Sequence, residues 1–172
     1  MEAFINREVS GYLTKMEKDY NLITKSLPIF SKVSSKNIRY VINDNFLNFW
    51  FRFIYKFSHI IEIGNYDELK KIIERDYDTF SGKMLERYFY KKLMEEKRFT
   101  RIGSYWDRKG ETEIDLIAVN EREKYAEIIE VKRNSAQFNM EKLREKSYAF
   151  MRATGELRDY KINYRELSLN DM

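Results

Sequence analysis

The stretch Glu113–Lys132 reads EIDLIAVNEREKYAEIIEVK. Two β-rich runs, Glu113–Val119 and Ala126–Lys132, flank a short charged turn, so the stretch predicts a hairpin. Side chains alternate between faces along a strand, which puts Glu130 and Lys132 on one face and Ile129 and Val131 on the other. Hairpin pairing brings Asp115 beside Glu130. Two carboxylates and an ammonium then converge where the chain otherwise supplies apolar residues. A folded domain tolerates such a cluster only if the charges are paired, bind a metal or stay hydrated.

Working outward, Arg101–Trp106 reads as a further strand, followed by the turn Asp107–Thr112 (DRKGET). Beyond the hairpin, a helix is expected over Asn139–Ala153, with Leu143, Tyr148, Phe150 and Met151 as its apolar positions. Asp159–Leu167 reads as the last strand. Upstream, Asp78 or Thr79 is expected to cap a helix running to Lys97. Gly82, Leu85, Phe89 and Leu93 form its apolar stripe, and Glu86 sits at the edge of that stripe. A carboxylate placed there either pairs with a neighbouring Lys or Arg or reaches toward the charged hairpin. The order from Asp78 is α-β-β-β-α-β, an α/β core with a small mixed central sheet.

The N-terminal part has a different character. Glu8–Leu22 predicts a helix with Val9, Tyr12, Leu13, Met16 and Tyr20 on one stripe. Strands follow at Ile23–Phe30 and Ile38–Ile42, separated by the polar turn Ser31–Asn37. Pro28 suggests an edge position. Helix plus hairpin is the second half of a winged-helix module, truncated here or completed by a partner. Asn43–Phe57 is then expected to be a linker helix capped by Asn43 or Asp44. Its Phe46, Leu47, Phe49, Trp50, Phe51, Phe53 and Ile54 are apolar nearly all round, which calls for burial between two layers or against another chain. Glu68–Arg75 reads as a short separate helix. The expected division is residues 1–60 for the winged-helix-like piece and linker, and 61–172 for the α/β domain.

The 172 residues are 16% aromatic with six Gly and one Pro, a folding composition. There is no Cys, which excludes disulfides and thiolate metal sites and fits an intracellular, cytoplasmic protein. No apolar run is long enough to cross a bilayer, and no signal-peptide pattern opens the chain, so no membrane partner is expected. Net charge is +4. Lys83–Lys109 and Lys132–Arg165 each hold nine basic and four acidic residues and flank the hairpin. They read either as basic walls for a polyanion or as ordinary solvated helix faces.

Phosphodiester hydrolysis with a divalent ion needs oxygen ligands, a water to activate and a cation to balance developing charge. Asp115 and Glu130 are hard oxygen donors suited to Mg2+ or Mn2+. Lys132 is placed to orient the water or stabilise the transition state, and Glu86 to act as an outer ligand. No rival chemistry competes. His59 is the only His and has no nucleophile beside it. Ser81-Gly82-Lys83 lacks the upstream Gly and following Ser or Thr of a phosphate loop, so no ATP site of that type is expected.

Asp115, Glu130-Val131-Lys132 and Glu86 resemble the signature of the PD-(D/E)XK nuclease superfamily, with Ile114 in place of its Pro. Tyr40–Asp44, Phe49–Phe53, Gly82 with Glu86, Gly103–Arg108, Glu113–Ile117 and Glu130–Lys132 are similar to the C-terminal region of archaeal-type AAA+ ATPases. That resemblance runs from about Gly11 to the end. It implies a restriction-endonuclease-like core. Glu86, Asp115, Glu130 and Lys132 would be catalytic, with Asp115, Glu130 and Glu86 at a Mg2+ or Mn2+ ion and DNA as substrate. It also implies an AAA+ ATPase domain that is absent here, supplied by a partner or by a longer protein of which this chain is a fragment. Three functions follow as expectations: a metal-dependent nuclease, a non-catalytic DNA-binding or regulatory module of an ATPase, or a homo-oligomerisation or toxin–antitoxin-type protein docking through Asn43–Phe57.

Overall fold

The computed structural model describes residues 2–172, and side chains from residue 9 onward. The chain forms two compact units, Met1–Ser26 with Ile38–Asp76, and Leu27–Asn37 with Tyr77–Met172.

The first unit contains helix α1 (Glu2–Lys18) and strands β1 (Ile23–Ser26) and β2 (Arg39–Ile42), paired antiparallel with Ile23 opposite Ile42. The expected helix stops short of Leu22, because the chain turns through Asn21 in the left-handed region (φ 50°). The expected strand Ile23–Phe30 ends at Ser26, since Pro28 cannot donate to a ladder. Asp44 caps helix α2 (Asn45–Phe49) by accepting from the Leu47 N–H at 2.7 Å. The helix then winds as a π-helix over Trp50–Tyr55, before the short α3 (Ser58–Glu62).

The aromatic helix is not buried between two layers of the described residues. Phe53 is fully buried, but Phe46 and Tyr55 are each 65% exposed, and Trp50 and Phe51 lie open as well. Their rings pack on one another one turn apart, Phe46 with Trp50 at 6.1 Å and Phe51 with Tyr55 at 5.7 Å. Val9, Tyr12 and Met16 of α1, and Tyr20 just past it, are exposed too. A two-stranded sheet offers too little surface to cover so many rings.

Helix α4 runs unbroken over Tyr66–Glu95, replacing the two helices expected at Glu68–Arg75 and Asp78–Lys97. No Gly or Pro lies between Tyr66 and Ser81, and Asp78 and Thr79 carry only a modest propensity cost inside a helix.

In the second unit, β3 (Arg101–Trp106), β4 (Glu113–Asn120), β5 (Tyr125–Val131) and β6 (Lys161–Leu167) lie in that order. The first three are antiparallel, and β6 is parallel to β5. That parallel step needs a crossover, which α5 (Met140–Thr154) supplies. Asn139 caps α5 through the Lys142 N–H, and Gly155 ends it at φ 76°. One sheet face packs Ile117, Val119, Ala126 and Ile128 against Leu143 and Phe150 of α5. The other packs Leu116, Ala118, Ile129 and Val131 against Leu85, Phe89 and Leu93 of α4. The result is a mixed α/β unit in the order α-β-β-β-α-β. Tyr148, expected inward, is 61% exposed; Ser147 takes the buried position and its hydroxyl pairs with Tyr164 Oη at 3.2 Å.

Leu27–Asn37, read from the sequence as a strand end and a free polar turn, is a strap along the edge of β3. The Ile29 N–H donates to the Ser104 carbonyl at 2.8 Å. Asn37 and Trp106 exchange two hydrogen bonds of 3.0 Å each. Gly103 gives it room, since a Cβ there would stand 3.1 Å from the Ile29 Cβ and the strap would have to give by a few tenths of an ångström. The strap covers unpaired backbone that an edge strand would otherwise expose.

Candidate active site

The site begins with an irregularity in the sheet. Gly103 faces Ile117 and Tyr105 faces Ile114, so β4 carries one extra residue between those pairs. A bulge of this kind breaks the ladder locally and re-aims side chains. Ile114 thereby joins Ile117 and Val119 in the α5-side core. Asp115 lies within the bulge and turns its carboxylate to the neighbouring strand, where Oδ2 accepts the Val131 N–H at 2.8 Å.

Glu130 lies near the C-terminal end of β5 and is only 6% exposed. Its Oε1 receives the Lys132 ammonium at 2.9 Å and the Lys146 ammonium, from α5, at 3.3 Å. Lys132 is held just past the strand by its N–H to the Leu167 carbonyl at 2.9 Å. Glu86 enters from α4, where Lys83, one turn earlier, stands 3.1 Å from its carboxylate and 3.5 Å from Glu113. Glu86 thus pairs with a neighbouring Lys, and it lies near enough to Asp115 to feel its charge.

The charges act on one another. Burial, then the nearby Asp115 carboxylate, pushes Glu86 up to about 7 against the opposing pull of Lys83. Burial also raises Asp115, in spite of the Val131 N–H and the Lys83 and Lys132 charges. Burial would raise Glu130 as well, but the Lys132 hydrogen bond and the Lys146 charge hold it below the usual carboxylate range. Lys132 outweighs its own desolvation through Glu130, Asp115 and Glu86, and its ammonium is held above the ordinary lysine range.

A cleft of about 620 Å3 opens beside these groups, lined by Thr79, Lys83 and Glu86 of α4 and by Lys132, Arg133 and Asn134 after β5. Arg133 forms an ion pair with Asp78 and lies 5.7 Å from the Tyr77 ring. Among the described residues, no three His, Cys, Asp or Glu side chains are grouped to hold a metal ion. The hard donors at hand are the carboxylates of Asp115 and Glu130, the latter already met by two lysine ammoniums. Such a pair would fit Mg2+, which binds through one or two carboxylates and keeps several waters.

Sequence reasoning missed Lys83, Arg133 and Lys146. Lys146 had a usable signal, for it stands three residues after Leu143 and four before Phe150 on the inward stripe of α5. Glu127 was missed too and is 3% exposed. It accepts from Arg98 at 2.9 Å, the Tyr125 hydroxyl at 2.8 Å and Arg165 at 3.3 Å. Nothing in AEIIE distinguishes Glu127 from Glu130.

Residues 50–145 match a family model that describes archaeal and bacterial proteins of unknown function. An uncharacterized protein of Methanocaldococcus jannaschii is 36% identical over 137 residues, covering 76% of this chain. The match spans 30% of that relative's length. No solved structure gives a significant match. The family match takes in Glu86, Asp115, Glu130 and Lys132, and ends one residue before Lys146.

Proposed function

We propose that this chain, which belongs to a family of archaeal and bacterial proteins of unknown function, is a metal-dependent phosphodiesterase acting on DNA, with a PD-(D/E)XK nuclease-type core. The observation that carries the reading is the convergence of Asp115, Glu130 and Lys132 at one bulged end of the sheet, with Glu86 electrostatically coupled from α4. Asp115 and Glu130 would hold Mg2+ or Mn2+, which when bound supplies Lewis-acid and water-activating chemistry. Lys132, its ammonium strengthened by three carboxylates, stays protonated at neutral pH. Its part is to donate hydrogen bonds to the attacking water or to the charge developing on phosphorus oxygens, not to act as a base. Glu86, pushed up to about 7, is the group suited to take the water's proton near neutral pH. Lys83 and Arg133 line the cleft and would meet backbone phosphates.

Charge supports the same unit as the polyanion site. The first unit holds ten basic and ten acidic residues, the second twenty-two basic and eighteen acidic. No helix among the described residues is long and apolar enough to cross a membrane. A cytoplasmic setting and an AAA+ ATPase partner belong to the same proposal.

Nicking of supercoiled plasmid with Mg2+ or Mn2+ tests the reading. Activity that requires Asp115 is expected, and absence of cleavage under every metal condition overturns it. A second reading, a silent DNA-binding or regulatory module, is favoured by one observation: Asp115 accepts from the Val131 N–H and Glu130 is paired with two lysines. That reading predicts salt-sensitive duplex binding without cleavage.

A further inference from the structure

Glu130 has a counterpart that the mechanism above does not use. In the parallel pairing of β5 with β6, Glu130 lies directly opposite Glu166. Ala126 and Ile128 of β5 pack in the α5-side core, and Ile162 and Tyr164 of β6 pack against it. The two-residue period then puts Glu130 and Glu166 on that same face, about 5 Å apart at the backbone. Glu130 has two ammonium partners. Glu166 has a buried Oε1 with no hydrogen-bond partner among the described residues. A buried acceptor left unmade is costly, and its neighbour is oversupplied. The other α5 cation on this face, Arg144, lies 5.5 Å from the Tyr164 ring.

We propose that Lys146 is a positioning residue that exchanges between the two carboxylates: it neutralises Glu130 while no cation is bound and moves to Glu166 when a divalent cation takes Glu130. The inference rests on the cation reading of Asp115 and Glu130. A lysine is suited to the task, being a point charge on a flexible four-carbon stem, whereas an arginine fork would lock to one partner. The move removes a competing positive charge from Glu130 without leaving an ammonium buried and unpaired. It also satisfies the orphaned Glu166 oxygen.

The experiment measures the dissociation constant for Mn2+ by electron paramagnetic resonance, without nucleic acid, in four proteins: wild type, Glu166→Gln, Lys146→Met and the double variant. Circular dichroism confirms that each is folded. Glu166→Gln is expected to weaken Mn2+ binding about tenfold, the scale of a typical coupling between sites. Lys146→Met is expected to bind at least as tightly as wild type, since its competing charge is gone. In the Lys146→Met background, Glu166→Gln is expected to lose nearly all of its effect. If Glu166→Gln binds like wild type, or weakens Mn2+ equally in both backgrounds, the exchange is overturned while the cation site stands. If wild type binds no Mn2+, the cation reading itself falls and the exchange falls with it.

Discussion

Glu127 and Glu130 lie three residues apart on β5, and both are nearly buried. Glu127 faces the α4 side and is gripped by two arginines and a tyrosine hydroxyl. Glu130 faces the α5 side and is met by two lysines, and its charge acts on the nearby Asp115. Arginine forks make fixed, planar contacts, while lysines are exchangeable point charges. One end of the strand is thus built to stay as it is. The other is built from charges that can be displaced, next to carboxylates that burial holds in a disfavoured state. The same residue type on the same strand is a structural tie at one end and a candidate site at the other.

The largest expected effect on stability breaks the tie. Glu127→Ala leaves the part-exposed Arg98 and Arg165 without their shared carboxylate, and stability should fall by about 2–3 kcal/mol in urea unfolding. An equal loss from Glu130→Ala would erase the contrast. Next, Asp115→Ala should lower Mg2+-dependent plasmid nicking at least about 100-fold, a barrier change of about 3 kcal/mol. Its unfolding midpoint should move less than that of Glu127→Ala.

Glu127 and Glu86 should answer pH with opposite signs. The Tyr125 and Arg98 hydrogen bonds outweigh burial and lower the Glu127 carboxyl, so its contribution is present above the ordinary carboxylate range and fades on acidification. The Glu86 carboxyl is raised to about 7, so the folded state binds the extra proton between about 4.5 and 7. Stability linked to Glu86 therefore declines as pH rises through that window. Glu86→Gln should flatten that decline and be more stable than wild type at pH 8 by about 1–2 kcal/mol. A variant with an unchanged stability–pH profile would show that Glu86 is not perturbed by the site. The smallest effect is on binding. Arg133→Ala should weaken duplex DNA affinity a few-fold and reduce the salt slope by about one contact, measured by fluorescence anisotropy.

The hairpin and its three charged residues were legible because period-two alternation is local and strong. Strand β3 and helix α5 were legible for similar reasons, with a turn at Asp107–Gly110 and a cap at Asn139. Helix α4 was misread as two because Asp78 resembles a cap, and nothing local says whether a helix will continue through it. The aromatic run within Asn43–Phe57 was expected to be buried between two layers or against another chain, from its apolar pattern alone. Exposure depends on what surrounds a segment, which composition does not contain.

The sequence by itself determined the element order of the α/β unit and the placement of Glu130 and Lys132 on one face. These follow from local periodicity. The tertiary structure alone decided that β4 bulges at Asp115, that Ile29 and Asn37 strap the edge of β3, and that Glu127 is locked by arginines. It also decided that Lys146 and Glu166 share a face with Glu130. Each depends on register between strands distant in the chain, and a one-residue shift of register would carry every one of those side chains to the opposite face.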